Sequence, residues 1–187
     1  MLILNINNKD DFYNWLKENH NIYNECYINC NRSKKDNNTL KYIDAIYVAL
    51  CFGWIDSTLK PIDNIKYQRF SPRRKNSNWS ELNKARCKWL IKNNLMTESG
   101  LKILPKDFNE NLKINDDILT KIKENKVIYD NFNNFPELYK RVRIGNIQQH
   151  KINSKNYIKS LNHFLKKTAK NEYYGDWNDN NKLIDIY

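Results

Sequence analysis

The chain has 187 residues, of which 40% are hydrophobic and 28% are charged, and its formal net charge is +11. These values exclude a disordered chain and indicate one compact domain, or two small lobes that share a core. The sequence has no run of about 18 apolar residues, so we expect no transmembrane helix and no membrane partner. The short, polar N-terminus does not resemble a signal peptide, and we expect a cytoplasmic protein.

The first part of the chain alternates short strands with helices. The patterns predict strands at residues 1–6 and 25–32, helices at 10–18 and 39–52, and a loop at 33–38. Gly53 follows the second helix and suits the left-handed backbone conformation, in which a side chain is costly. A β-hairpin is expected next, with a turn at residues 61–64. Its second strand ends at Pro72, because proline has no N–H group for the ladder.

Helices predominate in the second part. A helix is predicted at residues 79–95, with Ser77 or Asn78 as its N-cap and with Glu81 and Lys84 on its solvent face. Arg86 falls on the core side of the same helix. Further helices are predicted at residues 116–124, 136–149 and 154–170, although the alternation at 141–144 also allows a strand. Residues 127–135 are expected to be irregular, and the aromatic tail at 173–187 should pack on the body.

These elements predict an α+β fold with a small antiparallel sheet, packed helices and a mostly helical C-terminal half. The sheet falls in a lobe of residues 1–105, together with the motifs Gly-Trp-Ile-Asp at residues 53–56 and Pro-Arg-Arg at residues 72–74. A helical lobe of residues 116–187 packs on it, unless the chain forms one single domain.

Several segments resemble the YdeI/OmpD-associated proteins, a bacterial family also called bacteriocin-protection proteins. The resemblance rests on Ala-Leu-Cys-Phe-Gly-Trp-Ile-Asp at residues 49–56, Gln-Arg-Phe-Ser-Pro-Arg-Arg at 68–74 and Ser-Asn-Trp-Ser-Glu-Leu-Asn at 77–83. It continues at residues 138–144 and 170–179, so it covers most of the chain. The resemblance implies a role in bacteriocin or stress protection and no settled biochemical activity.

The candidate site is an arginine-rich, aromatic loop beside an acid. Arginine binds carboxylate or phosphate through two parallel hydrogen bonds, and aromatic faces can stack on a ring or a base. We assign Asp56 as the candidate catalytic residue. The candidate ligand-binding residues are Trp54, Gln68, Arg69, Arg73, Arg74, Trp79, Asn83, Arg86, Arg141, Arg143, Tyr174 and Trp177.

Two relations among these residues are expected. Arg73 and Arg74 lie between a proline and a helix cap, so they should bind ligand and contribute little to the core. Asp56 and Arg86 should meet across a cavity walled by Trp54 and Trp79, because the hairpin between them returns the chain to one side.

Three functions remain open at this stage. The first is binding of an anionic ligand, either a nucleotide, a nucleic acid, or a phosphorylated or carboxylated metabolite. The second is an enzyme that acts on a small anionic substrate with Asp56 as general base. The third is a structural or protective interaction protein. Weak, salt-sensitive nucleic-acid binding is expected from the net positive charge. A solvated lysine surface without any such function would also explain this charge. No cofactor or metal site is predicted.

Overall fold

The computed structural model describes residues 1–32 and 39–187, so the loop predicted at residues 33–38 lies outside the described residues. Within the described residues, the chain forms eight helices and a four-stranded sheet, which confirms the α+β class. Two compact units are present. Unit 1 consists of Met1–Asn78 and Arg86–Lys106, and unit 2 consists of Trp79–Ala85 and Asp107–Tyr187.

Unit 1 contains the sheet. Its elements are β1 (Ile3–Leu4), α1 (Lys9–Asn19), β2 (Cys26–Ile28), α2 (Tyr42–Cys51), β3 (Trp54–Ile62), β4 (Ile65–Pro72) and α4 (Glu98–Leu101). Helix α3 spans Glu81–Lys92, and its part from Arg86 onward also belongs to unit 1. The strand order is β1-β2-β4-β3, and only the short β1–β2 pair is parallel. The sheet is therefore mostly antiparallel, as the sequence predicts.

The connection between β3 and β4 is a two-residue turn. Asp63 and Asn64 have φ values of 47° and 63°, and Asp and Asn tolerate this left-handed region better than most residues. Two such residues give the twist that matches an antiparallel hairpin. The turn lies within the predicted segment, but Pro61 belongs to the strand, where it pairs with Lys66.

Gly53 links α2 to β3 and has a φ of +74°, as predicted. A Cβ atom here would lie 2.9 Å from the Ile103 side chain and 3.1 Å from the backbone oxygen of Ser99. Glycine thus allows both the left-handed conformation and the close approach of the following segment. The next residue, Trp54, is 1% exposed and starts the strand that carries Asp56.

Unit 2 is helical in the described residues. Besides the first residues of α3, it contains α5 (Asp116–Lys123), α6 (Lys126–Asn134), α7 (Glu137–Gln148) and α8 (Lys155–Ala169). The helices at α5, α7 and α8 confirm the predicted positions, and the strand alternative at residues 141–144 is wrong. The core of the unit consists of Ile118, Ile122, Phe132, Phe135, Tyr139, Ile144, Ile147, Tyr157, Leu161 and Phe164.

The segment that was expected to be irregular forms α6. Asn125 caps this helix, since its side chain accepts a hydrogen bond from the backbone N–H of Ile128. Ile128 and Phe132 are four residues apart and both pack into the core of unit 2. The many Asn and aromatic residues, which have weak helix propensity, concealed this helical spacing.

The orientation predicted for the start of α3 is wrong. Glu81 is 9% exposed and Lys84 is 6% exposed, although both were assigned to the solvent face. The predicted N-cap also differs, because Ser80, not Ser77 or Asn78, accepts the backbone N–H of Asn83. The charged pair is buried because each member has ionic partners from distant parts of unit 2, described below.

Candidate functional site

The candidate site is a cavity of about 480 Å³ in unit 2. Its volume lies within the range of small-molecule sites. It is formed by one face of α7 and the residues after it, one face of α8, and Tyr174. No carboxylate is among the described residues that line it.

Each of the two helical segments contributes four residues at positions i, i+3, i+4 and i+7. This spacing places the four residues on one face of the helix. From α7 and its C-terminal extension come Arg143, Asn146, Ile147 and His150. From α8 come Asn156, Lys159, Ser160 and His163. Ile147 is 1% exposed and belongs to the core, whereas Lys159 and His163 are exposed. The cavity therefore combines an apolar residue with polar and cationic side chains.

Arg143 is the buried cation of this cavity. It is 7% exposed, and its Nη2 donates a hydrogen bond of 2.6 Å to the backbone oxygen of Asp176. The guanidinium carbon lies 4.8 Å from the centre of the Tyr174 ring, within cation–π range. Its Nε is buried and has no hydrogen-bond partner among the described residues. A buried donor of this kind is costly unless an acceptor satisfies it.

Gly175 allows this arrangement of Arg143. Its φ is +62°, and a Cβ atom at this position would lie 2.7 Å from Nη1 of Arg143. The segment from Tyr174 to Asp176 therefore passes close to the guanidinium, contacting it by a ring on one side of the glycine and by a backbone oxygen on the other.

Aromatic rings support the cavity wall. The His163 and Tyr174 rings pack edge to face with their centres 4.6 Å apart. Burial raises the pKa of Tyr174, and the nearby positive charge of Arg143 opposes this rise. Behind them, burial raises the pKa of Tyr139 to about 12, so its hydroxyl stays protonated. Trp177 packs on Tyr139 at 5.5 Å and is not among the cavity residues.

Arg141 was predicted to bind ligand, but in the structure it belongs to an ion-pair network away from the cavity lining. Its Nη1 lies 3.0 Å from Glu81, and its Nε lies 3.3 Å from Glu137. Lys84 lies 2.9 Å from Glu81 and 2.6 Å from Asp107. The network explains why charged residues at the start of α3 can be buried, because each desolvated charge has an opposite partner.

The remaining candidates of unit 2 lie at the start of α3. Trp79 and Asn83 are both half-buried, and neither lines the cavity. Of the candidate residues chosen from the sequence, the structure therefore brings Arg143 and Tyr174 together in this cavity.

In unit 1, Asp56 accepts a hydrogen bond from the Tyr42 hydroxyl. Burial and this hydrogen bond raise the pKa of Tyr42 to about 12. The Arg32 guanidinium lies 3.5 Å from the Tyr42 ring centre and donates a hydrogen bond of 2.8 Å to Gln68. The polar groups around Asp56 thus already bind one another. The role of Asp56 as a general base stays a prediction.

Gln68 has a structural explanation. The β3–β4 register shifts between Asp56 and Leu59, which leaves extra residues in β3. The Gln68 amide is 2% exposed and donates hydrogen bonds to the backbone oxygens of Ser57 at 3.1 Å and Thr58 at 3.4 Å. It thereby satisfies carbonyl groups that the irregular ladder leaves without strand partners.

The arginines that follow have different surroundings. Arg69 pairs with Glu25 at 2.7 Å near the surface. Arg73 is 9% exposed and donates hydrogen bonds of 2.9 Å to the Ser77 hydroxyl and to the backbone oxygen of Asn78. Burial lowers its pKa. The expectation that Arg73 contributes little to the fold is therefore wrong, whereas Arg74 is exposed as expected.

Two further candidates are buried in unit 1. The Trp54 indole is 1% exposed and donates a hydrogen bond of 3.2 Å to the backbone oxygen of His20. Arg86 is 8% exposed, which agrees with its assignment to the core side of α3. Its pairing with Asp56 across a shared cavity stays a prediction.

Sequence reasoning missed the polar residues of α8 that line the cavity. The signal was present, because Asn156, Lys159, Ser160 and His163 follow the spacing of one helix face. The apolar residues of α8 predict the helix but identify only the side that packs into the core.

Among the described residues, no cluster of three or more His, Cys, Asp or Glu side chains could hold a metal ion. Every helix in residues 1–32 and 39–187 is too short or too polar to cross a membrane. The side chains that line the cavity offer two cations, amide and hydroxyl groups, and aromatic rings.

Comparisons with other proteins address the family but not the chemistry. No curated protein and no solved structure shows significant similarity to the chain. A family model described as Domain of unknown function (DUF8412) matches residues 4–103. The match ends before the helices that form the cavity. Because it covers more than half of the sequence, the chain belongs to the DUF8412 family.

Proposed function

We propose that the protein binds an anionic ligand in the cavity between the polar faces of α7 and α8. The ligand class is that expected from the sequence: a nucleotide, a nucleic acid, or a phosphorylated or carboxylated metabolite. The observation that carries this proposal is Arg143, a buried cation that shares with Lys159 a cavity lined by no carboxylate among the described residues.

The electrostatics of the cavity support an anion. Arg143 and Lys159 carry two formal positive charges, and the histidines can donate further hydrogen bonds. An anion held by a guanidinium and an ammonium forms charge-assisted hydrogen bonds, which are about twice as strong as neutral ones. The amide groups of Asn146 and Asn156 can both donate and accept, so they suit the polar atoms of a larger organic anion.

The test compares two lysines of α8. Lys159 lines the cavity, whereas Lys166 is exposed on the same helix and does not line it. Thymidine monophosphate, inorganic phosphate and citrate should be titrated into the protein and followed by calorimetry and by NMR chemical shifts. We expect Lys159→Ala to weaken binding of at least one probe about tenfold, which corresponds to one charge-assisted hydrogen bond of about 1.5 kcal/mol. Lys166→Ala should leave binding unchanged.

Two results would contradict the proposal. One is the absence of shift changes at cavity residues with all three probes. The other is an equal effect of the two substitutions, because the charge alone, and not the cavity, would then determine binding.

The resemblance to YdeI/OmpD-associated proteins extends the proposal to a cytoplasmic role in bacteriocin or stress protection. Survival of cells that express the wild-type protein or Lys159→Ala, measured under bacteriocin challenge, tests this extension. Equal survival of both strains, at equal protein levels, would show that the cavity has no part in protection.

A further inference from the structure

The exposed face of α8 carries a row of lysines that ends in the cavity. At about 100° per residue, Lys155, Lys159 and Lys166 of α8 and its C-cap residue Lys170 fall within about 60° of one another around the helix axis. The buried residues Tyr157, Leu161, Phe164 and Thr168 lie on the opposite side. At 1.5 Å per residue, the row extends over about 22 Å.

The charge of this row is not balanced within the helix. α8 contains no Asp or Glu, and in the described part of the chain none of the four lysines forms an ion pair. All four are exposed. The nearest acid in sequence, Glu172, is bound by Lys167 at 2.7 Å, and Lys167 lies outside the row. The hydrogen bond and charge of Lys167 and, more weakly, the charge of Lys170 lower the pKa of Glu172, so the charge of Lys170 is partly compensated. A linear arrangement of cations that form no ion pair favours a polyanion whose charges repeat along its length.

The row and the cavity are continuous, because Lys159 belongs to both and His163 lies on the same side of α8 at the cavity rim. A ligand that follows the lysines therefore passes the cavity. There it meets an exposed imidazole that is packed against Tyr174, the buried guanidinium of Arg143, and two asparagine amides. Aromatic surfaces beside a basic track are the arrangement by which proteins bind single-stranded nucleic acid.

We propose that the ligand of the cavity is one nucleotide of a single-stranded nucleic acid, and that the lysine row of α8 binds the neighbouring phosphates. This inference rests on the proposed function, since it requires the cavity to bind an anion. A base must be unpaired from the nucleic-acid duplex before it can enter the cavity. Single strands are therefore the expected ligand, and duplexes are not.

The experiment uses the full chain and a labelled oligothymidylate about 12 nucleotides long, within the usual site size for single-strand binding. Fluorescence anisotropy gives the affinity between about 50 and 200 mM salt. Each phosphate contact on a single strand contributes about 0.7 to the salt slope, so four contacts predict a roughly 50-fold loss of affinity over this range. The oligonucleotide should bind more tightly than thymidine monophosphate and more tightly than a duplex of equal length.

The decisive variant is Lys155→Gln/Lys166→Gln/Lys170→Gln, which removes three lysines of the row and leaves the cavity lining intact. It should reduce the salt slope by about 2 and leave the affinity for thymidine monophosphate unchanged. The matched control, Lys113→Gln/Lys121→Gln/Lys126→Gln, removes the same charge from exposed lysines elsewhere in unit 2. It should change the salt slope by much less.

The outcomes separate this inference from the proposed function. If thymidine monophosphate binds but the triple variant and its control behave alike, the inference fails and the proposed function stands. Failure of every anionic probe to bind at low salt overturns both. Tighter binding to duplex DNA, or equal binding to polyglutamate of the same charge, would show a general basic surface and overturn the inference. Unchanged oligonucleotide binding by Lys159→Ala would also overturn the inference.

Discussion

The arginine loop of unit 1 and the cavity of unit 2 each contain a buried arginine, yet they differ in what the guanidinium contacts. Arg73 is 9% exposed and donates hydrogen bonds to Ser77 and Asn78 within its own loop. Arg143 is 7% exposed and lines an open cavity with Lys159. Burial of a cation is therefore a poor guide to a binding site. Both guanidinium groups donate to a backbone oxygen, so the distinguishing feature is whether the cation also lines a space that a ligand can enter.

A third buried arginine lies in an ion-pair network, and we expect disruption of this network to have the largest effect on stability. Arg141 pairs with Glu81, which also pairs with Lys84. We expect Glu81→Gln to lower the free energy of unfolding by about 3 kcal/mol, at the low end for a broken buried pair. The low end applies because both cations keep a second carboxylate partner. Urea denaturation measures the effect.

The control is the same substitution in an exposed pair. Glu124 lies 2.9 Å from Lys121, and both side chains are about half exposed. Glu124→Gln should cost less than about 1 kcal/mol. Equal losses in the two variants would show that the network of unit 2 contributes no more than a surface ion pair.

The second prediction tests the two arginines directly. Arg73→Met and Arg143→Met each remove the donor for at least one backbone oxygen, so each should lower the free energy of unfolding by roughly 1–3 kcal/mol. Only Arg143→Met should also weaken thymidine monophosphate binding, by at least about tenfold. Thermal melting and calorimetry of both variants provide the two measurements. If Arg73→Met loses thymidine monophosphate binding and Arg143→Met keeps it, the binding site is the arginine loop that the sequence predicts.

The smallest expected effect on stability concerns two glycines in the left-handed region. Gly175→Ala and Gly53→Ala each impose a backbone cost of about 1–2 kcal/mol on a residue with positive φ. At Gly175 the new Cβ also displaces Arg143, whose Nη1 would lie 2.7 Å away, so ligand affinity should fall. At Gly53 the new Cβ contacts Ile103, and affinity should not change. An unaltered affinity in Gly175→Ala would mean that the position of Arg143 is not important for binding.

Features that depend on short-range interactions were predicted correctly, whereas features that depend on long-range packing were not. The helix at α8 was predicted closely because its apolar spacing repeats over its whole length and Ser154 caps it. Gly53 and the turn at Asp63 were predicted because backbone sterics act on single residues. The helix at α6 was missed, since its Asn residues have weak helix propensity and its stability comes from packing in unit 2.

The sequence by itself determined the local features of this protein: the periodicity of the helices, the hairpin and the glycine conformations. The tertiary structure decided which charged residues are buried. Glu81 is buried because Arg141, 60 residues later in the chain, supplies its partner. The cavity likewise requires the polar faces of two helices to meet. Each face could be read from its spacing, but their meeting depends on how the apolar faces pack, which local propensity does not encode.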